Sequence, residues 1–123
     1  MTEPVALADA FAAVTDLWRP RVVAALNGQE VKVARVHGTF VWHAHDVDEL
    51  FWIASGTLRI ELDDDPATAV TLPPGALYVV PAGRRHRPVA EDPCEIVLVE
   101  PAGVVNTGDA PPSALTAGAG DAK

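Results

Sequence analysis

A chain of 123 residues with 49% hydrophobic content is the size of one domain around a single core. Nine basic residues stand against 17 acidic ones, a formal net charge of -8, which argues against nucleic acid held by phosphate neutralisation and against an anionic membrane surface. The single cysteine, Cys94, can form no internal disulfide, and no apolar run approaches the length of a transmembrane helix.

The first residues, M-T-E-P-V-A-L-A-D-A-F, carry two acids and no basic segment, so they do not read as a secretory leader. Together with the lone cysteine this predicts a cytoplasmic protein. Leu7, Phe11, Val14 and Trp18 recur at spacings of four, three and four, which predicts one apolar stripe on a short helix that Pro20 stops, capping one end of the core. Val22 to Leu26 and Glu30 to Val36 flank Asn27-Gly28, a hairpin signal, because both residues tolerate the positive φ of a tight turn.

The stretch from Gly38 to Gly56, G-T-F-V-W-H-A-H-D-V-D-E-L-F-W-I-A-S-G, follows. If Thr39 to His43 is a strand, His43 and His45 project to one side, roughly 6.6 Å apart at Cα. Glu49 opens the next apolar run, Glu49 to Ser55, and a turn through Asp46 to Asp48 brings its carboxylate back beside the imidazoles. Asp46 and Asp48 are read as solvating that turn, and His37, outside the pattern, as a bystander. Leu58 to Leu62 alternates, and Asp63-Asp64-Asp65-Pro66 ends it as a solvated hairpin turn, since the spacing lacks an ordered loop of calcium ligands. Ala69 to Leu72 returns, and Pro73-Pro74-Gly75 leads into Ala76 to Val80.

Pro81-Ala82-Gly83 then bends the backbone, so that His86 swings back to the first two histidines. Cys94 to Glu100 is the last strand, with the thiol read as a small buried hydrophobe. From Pro101 the chain turns to small and turn-forming residues, although Val104 and Val105 can still pack. Such a segment buries too little surface to offset its ordering entropy. Three imidazoles and a carboxylate suit a divalent first-row ion such as iron, manganese, nickel or zinc, and the absence of thiolates disfavours a soft metal.

These two stretches resemble the motif pair of a small single-domain cupin, of the conserved-barrel cupin 2 type and the mannose-6-phosphate isomerase-like small cupins. Gly38, His43, His45, Glu49 and Gly56 match the first motif, and Gly75, Pro81, Gly83 and His86 the second. Four residues instead of five separate Gly38 from His43, and Ala90 stands where the second motif has asparagine. The resemblance implies an all-β fold, a cupin double-stranded β-helix or jelly-roll barrel, with a helical segment at 1–20, the barrel at 21–105 and an extended or disordered tail at 106–123. It also implies a divalent metal on His43, His45, Glu49 and His86, a small-molecule ligand and a homodimer.

Parity along the strands predicts a mostly apolar cavity lined by Val41, Phe51 and Ile53, with Phe40, Trp42, Leu50 and Trp52 pointing outward and needing cover. Tyr78 reads as a packed strand tyrosine, and Arg84, Arg85 and Arg87 as a basic turn in which an anion site is the alternative. The functional expectation is a metal-dependent enzyme on a small metabolite, of the dioxygenase, isomerase or lyase type. The alternatives are a non-catalytic metal and small-ligand binding module, or a barrel whose site stays empty.

Overall fold

The computed structural model of the chain describes residues 3–116 and is built around one long strand. That strand, β7 (His86–Pro101), has 16 residues and pairs antiparallel with three others. β2 (Gln29–Thr39) lies along one edge, from Gln29↔Pro101 to Thr39↔Val89. On the other edge β3 (Glu49–Ser55) takes the second half, Leu50↔Val99 to Ser55↔Glu95, and β4 (Leu58–Leu62) takes the first, Arg59↔Val89 to Leu62↔His86. By changing partner midway, β7 wraps the sheet around a common interior. β1 (Arg21–Leu26) adds beside β2, β5 (Asp65–Leu72) beside β4, and β6 (Leu77–Val80) beside β3. The result is the all-β jelly-roll barrel of the sequence reading, mostly antiparallel strand with one short helix.

Local chemistry explains the strands. In β3 Glu49, Phe51 and Ile53 are buried while Leu50, Trp52 and Ala54 are half-buried, the period of a strand with unlike faces. Asn27 (φ 52) and Gly28 (φ 78) make the two-residue turn between β1 and β2. Asp63 (φ 61) and Asp64 (φ 57) turn the β4–β5 hairpin without glycine, a conformation that aspartate tolerates better than most residues. β5 starts at Asp65 and β7 at His86, both earlier than expected, because Pro66, Pro88 and Pro93 disguise edge and bulged strand as loop.

Two apolar clusters result. Inside the barrel lie Val36, Phe51, Ile53, Leu58, Ile60 and Ile96, with Trp18 at the margin. Outside it, Phe11 and Val14 cover Val33, Val97 and Trp52. The helix α1 (Leu7–Ala12) is only six residues long, has no side-chain cap at Ala6, and leaves Leu7 exposed. Trp18 (φ 62) is therefore off the helix, and α1 rests on the outer face instead of closing one end of the barrel. Burial of Phe11 and Val14 supplies about 1.5–3 kcal/mol each to hold it there. The same outer face carries two cross-strand rows, Val79–Leu50–Val99–Val31 and Leu77–Trp52–Val97–Val33, of which the α1 segment covers Trp52, Val97 and Val33. Leu77 (61%) and Val79 (45%) stand exposed at its edge.

In the expected extended or disordered tail, residues 106–116 form no helix or strand but touch the barrel. Asn106 Nδ2 donates to the carbonyls of Trp18 (3.0 Å) and Leu115 (2.8 Å), Thr107 is buried, and Leu115 packs on the interior cluster. One amide and one leucine anchor a segment whose composition promised neither. Residues 117–123 of that expected tail, and 1–2 of the expected helical segment, lie outside the described residues. No helix among the described residues is long and apolar enough to cross a membrane.

Candidate metal centre

Three structural elements deliver the four expected side chains. Glu49 is the first residue of β3 and faces inward, and His86 is the first of β7. His43 lies in the crossing from β2 to β3 and is fastened to His86 by a two-way backbone bridge: His43 N–H donates to His86 O (3.0 Å) and His86 N–H to His43 O (2.8 Å). His45 O accepts from Gly83 N–H at 2.8 Å, tying the second motif's turn to the first motif. Asp48 accepts from Ala82 N–H and Asp109 from Ala44 N–H, both at 2.8 Å, so Asp48 braces the loop and Asp46 stays exposed.

The entry to this crossing corrects one expectation. β2 ends at Thr39, and the pairing slips between Val36 and Gly38, whose φ of 92 suits glycine alone. The expected parity runs from His43 back along a strand, and because the strand stops at Thr39, residues 40–42 do not alternate. Phe40 is instead buried and stacks on Trp18 at 4.6 Å between ring centroids. Trp42 is half-buried with the Arg87 guanidinium 4.8 Å above its ring, while Leu50 and Trp52 do lie on the outer face.

His43, His45, Glu49 and His86 are all buried and offer one ligand atom each, all within 4.8 Å of one another. Val41 O lies 2.9 Å from His43 Nδ1 and Arg84 O 2.8 Å from His86 Nδ1. A carbonyl only accepts, so both Nδ1 atoms carry the proton and both Nε2 lone pairs face the centre. Glu49 Oε1 lies 3.6 Å from His45 Nε2 and 3.5 Å from His86 Nε2, and all three of these buried atoms lack a hydrogen-bond partner. His86 Nε2 and the Glu49 carboxylate are acceptors aimed at one another, and they repel unless a cation lies between them. Atoms 3.5 and 3.6 Å apart can each lie at about 2.1 Å from one ion placed between them, so the residues present fit a divalent metal.

Burial, then the neighbouring His86 imidazole, push the His43 pKa down to about 3, and burial lowers His45 and His86 as well. Burial raises Glu49, whose carboxyl hydrogen-bonds that of Glu100. Glu100 is pushed up to about 8 by burial first and by the Glu49 charge second. Two carboxylates only accept, so a hydrogen bond between them requires that one carry a proton.

Glu100 and Lys32, which has its Nζ 3.6 Å from Glu100 Oε1, are absent from the motif pattern. Strand parity was the signal that could have found them: Cys94, Ile96 and Leu98 point inward ahead of Glu100, as do Ala34 and Val36 after Lys32. The space beside His43 and Glu49 is about 30 Å³, room for about two waters, and is walled by Trp18, Phe40, Phe51, Ile96 and Leu98, with Asn106 as its other polar neighbour. It is narrower than the expected organic-ligand cavity because the Trp18–Phe40 stack turns inward. Val41 and Ile53 pack in the interior cluster without lining this space.

The remaining candidates fall elsewhere. Arg84 binds Asp63 through two bonds of 2.9 and 3.0 Å, Arg85 binds Asp64 at 2.8 Å, and Arg87 binds Glu61 at 2.6 Å. The acidic run 61–64 thus meets the basic run 84–87 across the β4–β7 pairing, and all three guanidinium groups are engaged. His37 is exposed, outside the cluster, and its carbonyl accepts from Trp18 Nε1. Tyr78 packs on the interior cluster, and burial pushes the Cys94 thiol up to about 11, which keeps it inert.

Comparison with known proteins agrees with this architecture. The cupin domain family model matches residues 26–100. A cupin-2 domain protein of Shewanella frigidimarina is 40% identical, with TM-score 0.74 over 79% of this chain and 93% of that one. A protein from Neisseria meningitidis is 27% identical, with TM-score 0.72 over 80% and 99% of the two chains. A hydroquinone 1,2-dioxygenase of Sphingomonas, solved with 4-hydroxybenzoate bound, shares the fold at 22% identity, with TM-score 0.63 over 75% and 71%. No curated protein matches the chain.

Proposed function

Because the chain belongs to the cupin domain family, we propose that His43, His45, Glu49 and His86 hold one divalent first-row ion and that the protein is a metal-dependent enzyme on a small metabolite, of the dioxygenase, isomerase or lyase type. The observation that carries this reading is the set of buried acceptor atoms on His45, Glu49 and His86, which face one another with no partner. When bound, such an ion supplies a Lewis acid for a carbonyl or enolate oxygen at a position that the four side chains leave open. His43 and Glu49 border the cavity and so place that position toward it, while Trp18, Phe40 and Phe51 exclude water and admit an apolar or planar fragment. Space for about two waters restricts the substrate to a few heavy atoms at the ion, unless the Trp18–Phe40 pair moves aside.

The test is elemental analysis of protein purified without added metal, followed by turnover and oxygen-uptake assays of the iron, manganese, nickel and zinc forms on a metabolite panel. One ion per chain and turnover by at least one form are the expected results; protein that takes up no ion would sink the reading. A second reading, a non-catalytic metal and small-ligand binding module, is favoured by one observation: among the described residues, His43 and Glu49 are the only titratable ones lining the cavity. Tight ligand binding without conversion supports it. We further propose a homodimer formed through the outer apolar face, and a cytoplasmic setting consistent with the lone buried thiol.

A further inference from the structure

We propose that Glu100, backed by Lys32, is a positioning residue that aims the Glu49 carboxylate at the three imidazoles. The inference rests on the metal reading above. A glutamate at the start of a strand keeps several rotamers, so a side chain that must meet three imidazoles needs a second contact to fix it. Glu49 Oε1 faces His45 and His86. The antiparallel pair Leu50↔Val99 sets the next residues, Glu49 and Glu100, across from one another on the inner face, both buried, where their carboxyl groups interact. Glu100 is 2% exposed and is held in turn by Lys32, 5% exposed, with Nζ 3.6 Å from Glu100 Oε1 and 3.8 Å from Glu30 Oε1.

Packing gives no reason for this trio. Buried ionic groups cost free energy that apolar side chains of the same volume would not, and replacing such a group with apolar residues is often neutral or stabilising. Neither Glu100 nor Lys32 lines the cavity, so neither is placed to touch a substrate there. What Glu100 does reach is Glu49. From β7 it therefore fixes a β3 side chain whose partner His86 stands at the opposite end of that same β7 strand.

Metal-free protein is titrated with Co²⁺, reading both the dissociation constant and the visible absorption band, in the wild type, His86→Ala, Glu100→Gln and Glu100→Met. Gln keeps a hydrogen bond to Glu49 and should bind within a few-fold of wild type with the same band. Met loses that bond and should bind about 10–100-fold more weakly with an altered band. Wild-type affinity and spectrum in Glu100→Met, or equal damage in Glu100→Gln, would overturn the inference and leave the metal reading standing. No Co²⁺ bound by wild type, or no loss in His86→Ala, would overturn both. If Glu100→Met does not fold, Lys32→Met/Glu100→Met makes the same comparison without a stranded ammonium. Failure of that variant to fold also refutes the inference, since Glu100 would then be serving the core.

Discussion

Burial neutralises the imidazoles of the centre before any ion arrives. The His43 pKa lies near 3, so its contribution to stability is complete above the ordinary histidine value of 6.5 and is lost only as pH falls toward 3. Glu100 has the opposite sign: raised from 4.5 to about 8, its contribution is complete below 4.5 and is lost as pH rises toward 8. Metal-free protein should therefore lose about 2 kcal/mol between pH 6.5 and 8, roughly one proton over that window, in chemical denaturation with chelator present. A second expectation separates the histidines: His37→Ala should keep one ion per chain by elemental analysis, whereas His86→Ala should lose it. At this scale the H-x-H spacing was legible because a short spacing in sequence is a short distance in space. Glu100 was not, since it reads as the polar end of a strand until the barrel closes around it.

At the scale of elements, the acidic turn of the β4–β5 hairpin and the basic run at the start of β7 act as one unit. Asp63 and Asp64 are held below the usual carboxylate range by hydrogen bonds from Arg84 and Arg85, yet these pairs are exposed, and exposed pairs contribute little. Asp63→Ala should therefore change stability by less than about 1 kcal/mol. Glu61 is buried and accepts from both Arg59 and Arg87, so Glu61→Ala should cost about 2–3 kcal/mol in the same urea titration. Equal effects of the two substitutions would contradict the difference in burial. The strands at 49–55 and 58–62 were legible because alternation and flanking turn residues agree. The inward turn of Phe40 was hidden, since the strand that parity assumed up to His43 ends at Thr39. The anchors of residues 106–116 were hidden for a related reason: Asn106 and Leu115 are single contacts, and an average over small residues conceals them.

For the whole molecule, the homodimer proposed above would form on the part of the outer face that α1 leaves uncovered, at Leu77 and Val79. Sedimentation equilibrium should give a dimer for the wild type and a monomer for Leu77→Glu/Val79→Glu; a variant that stays dimeric would place the interface elsewhere. The fold class was legible because both motifs lie in the barrel itself, whereas the coverage of its outer surface depends on shape that only the assembled sheet creates. One strand, β7, supplies edges to β2, β3 and β4, begins with His86 and carries Glu100 next to its last residue. No half of the barrel can melt while the other keeps its hydrogen bonds, and neither half can let go without scattering the four donors. Denaturation should thus be a single cooperative event in which cation escape and global unfolding share one midpoint, so that loading the site raises the melting temperature of every probe alike.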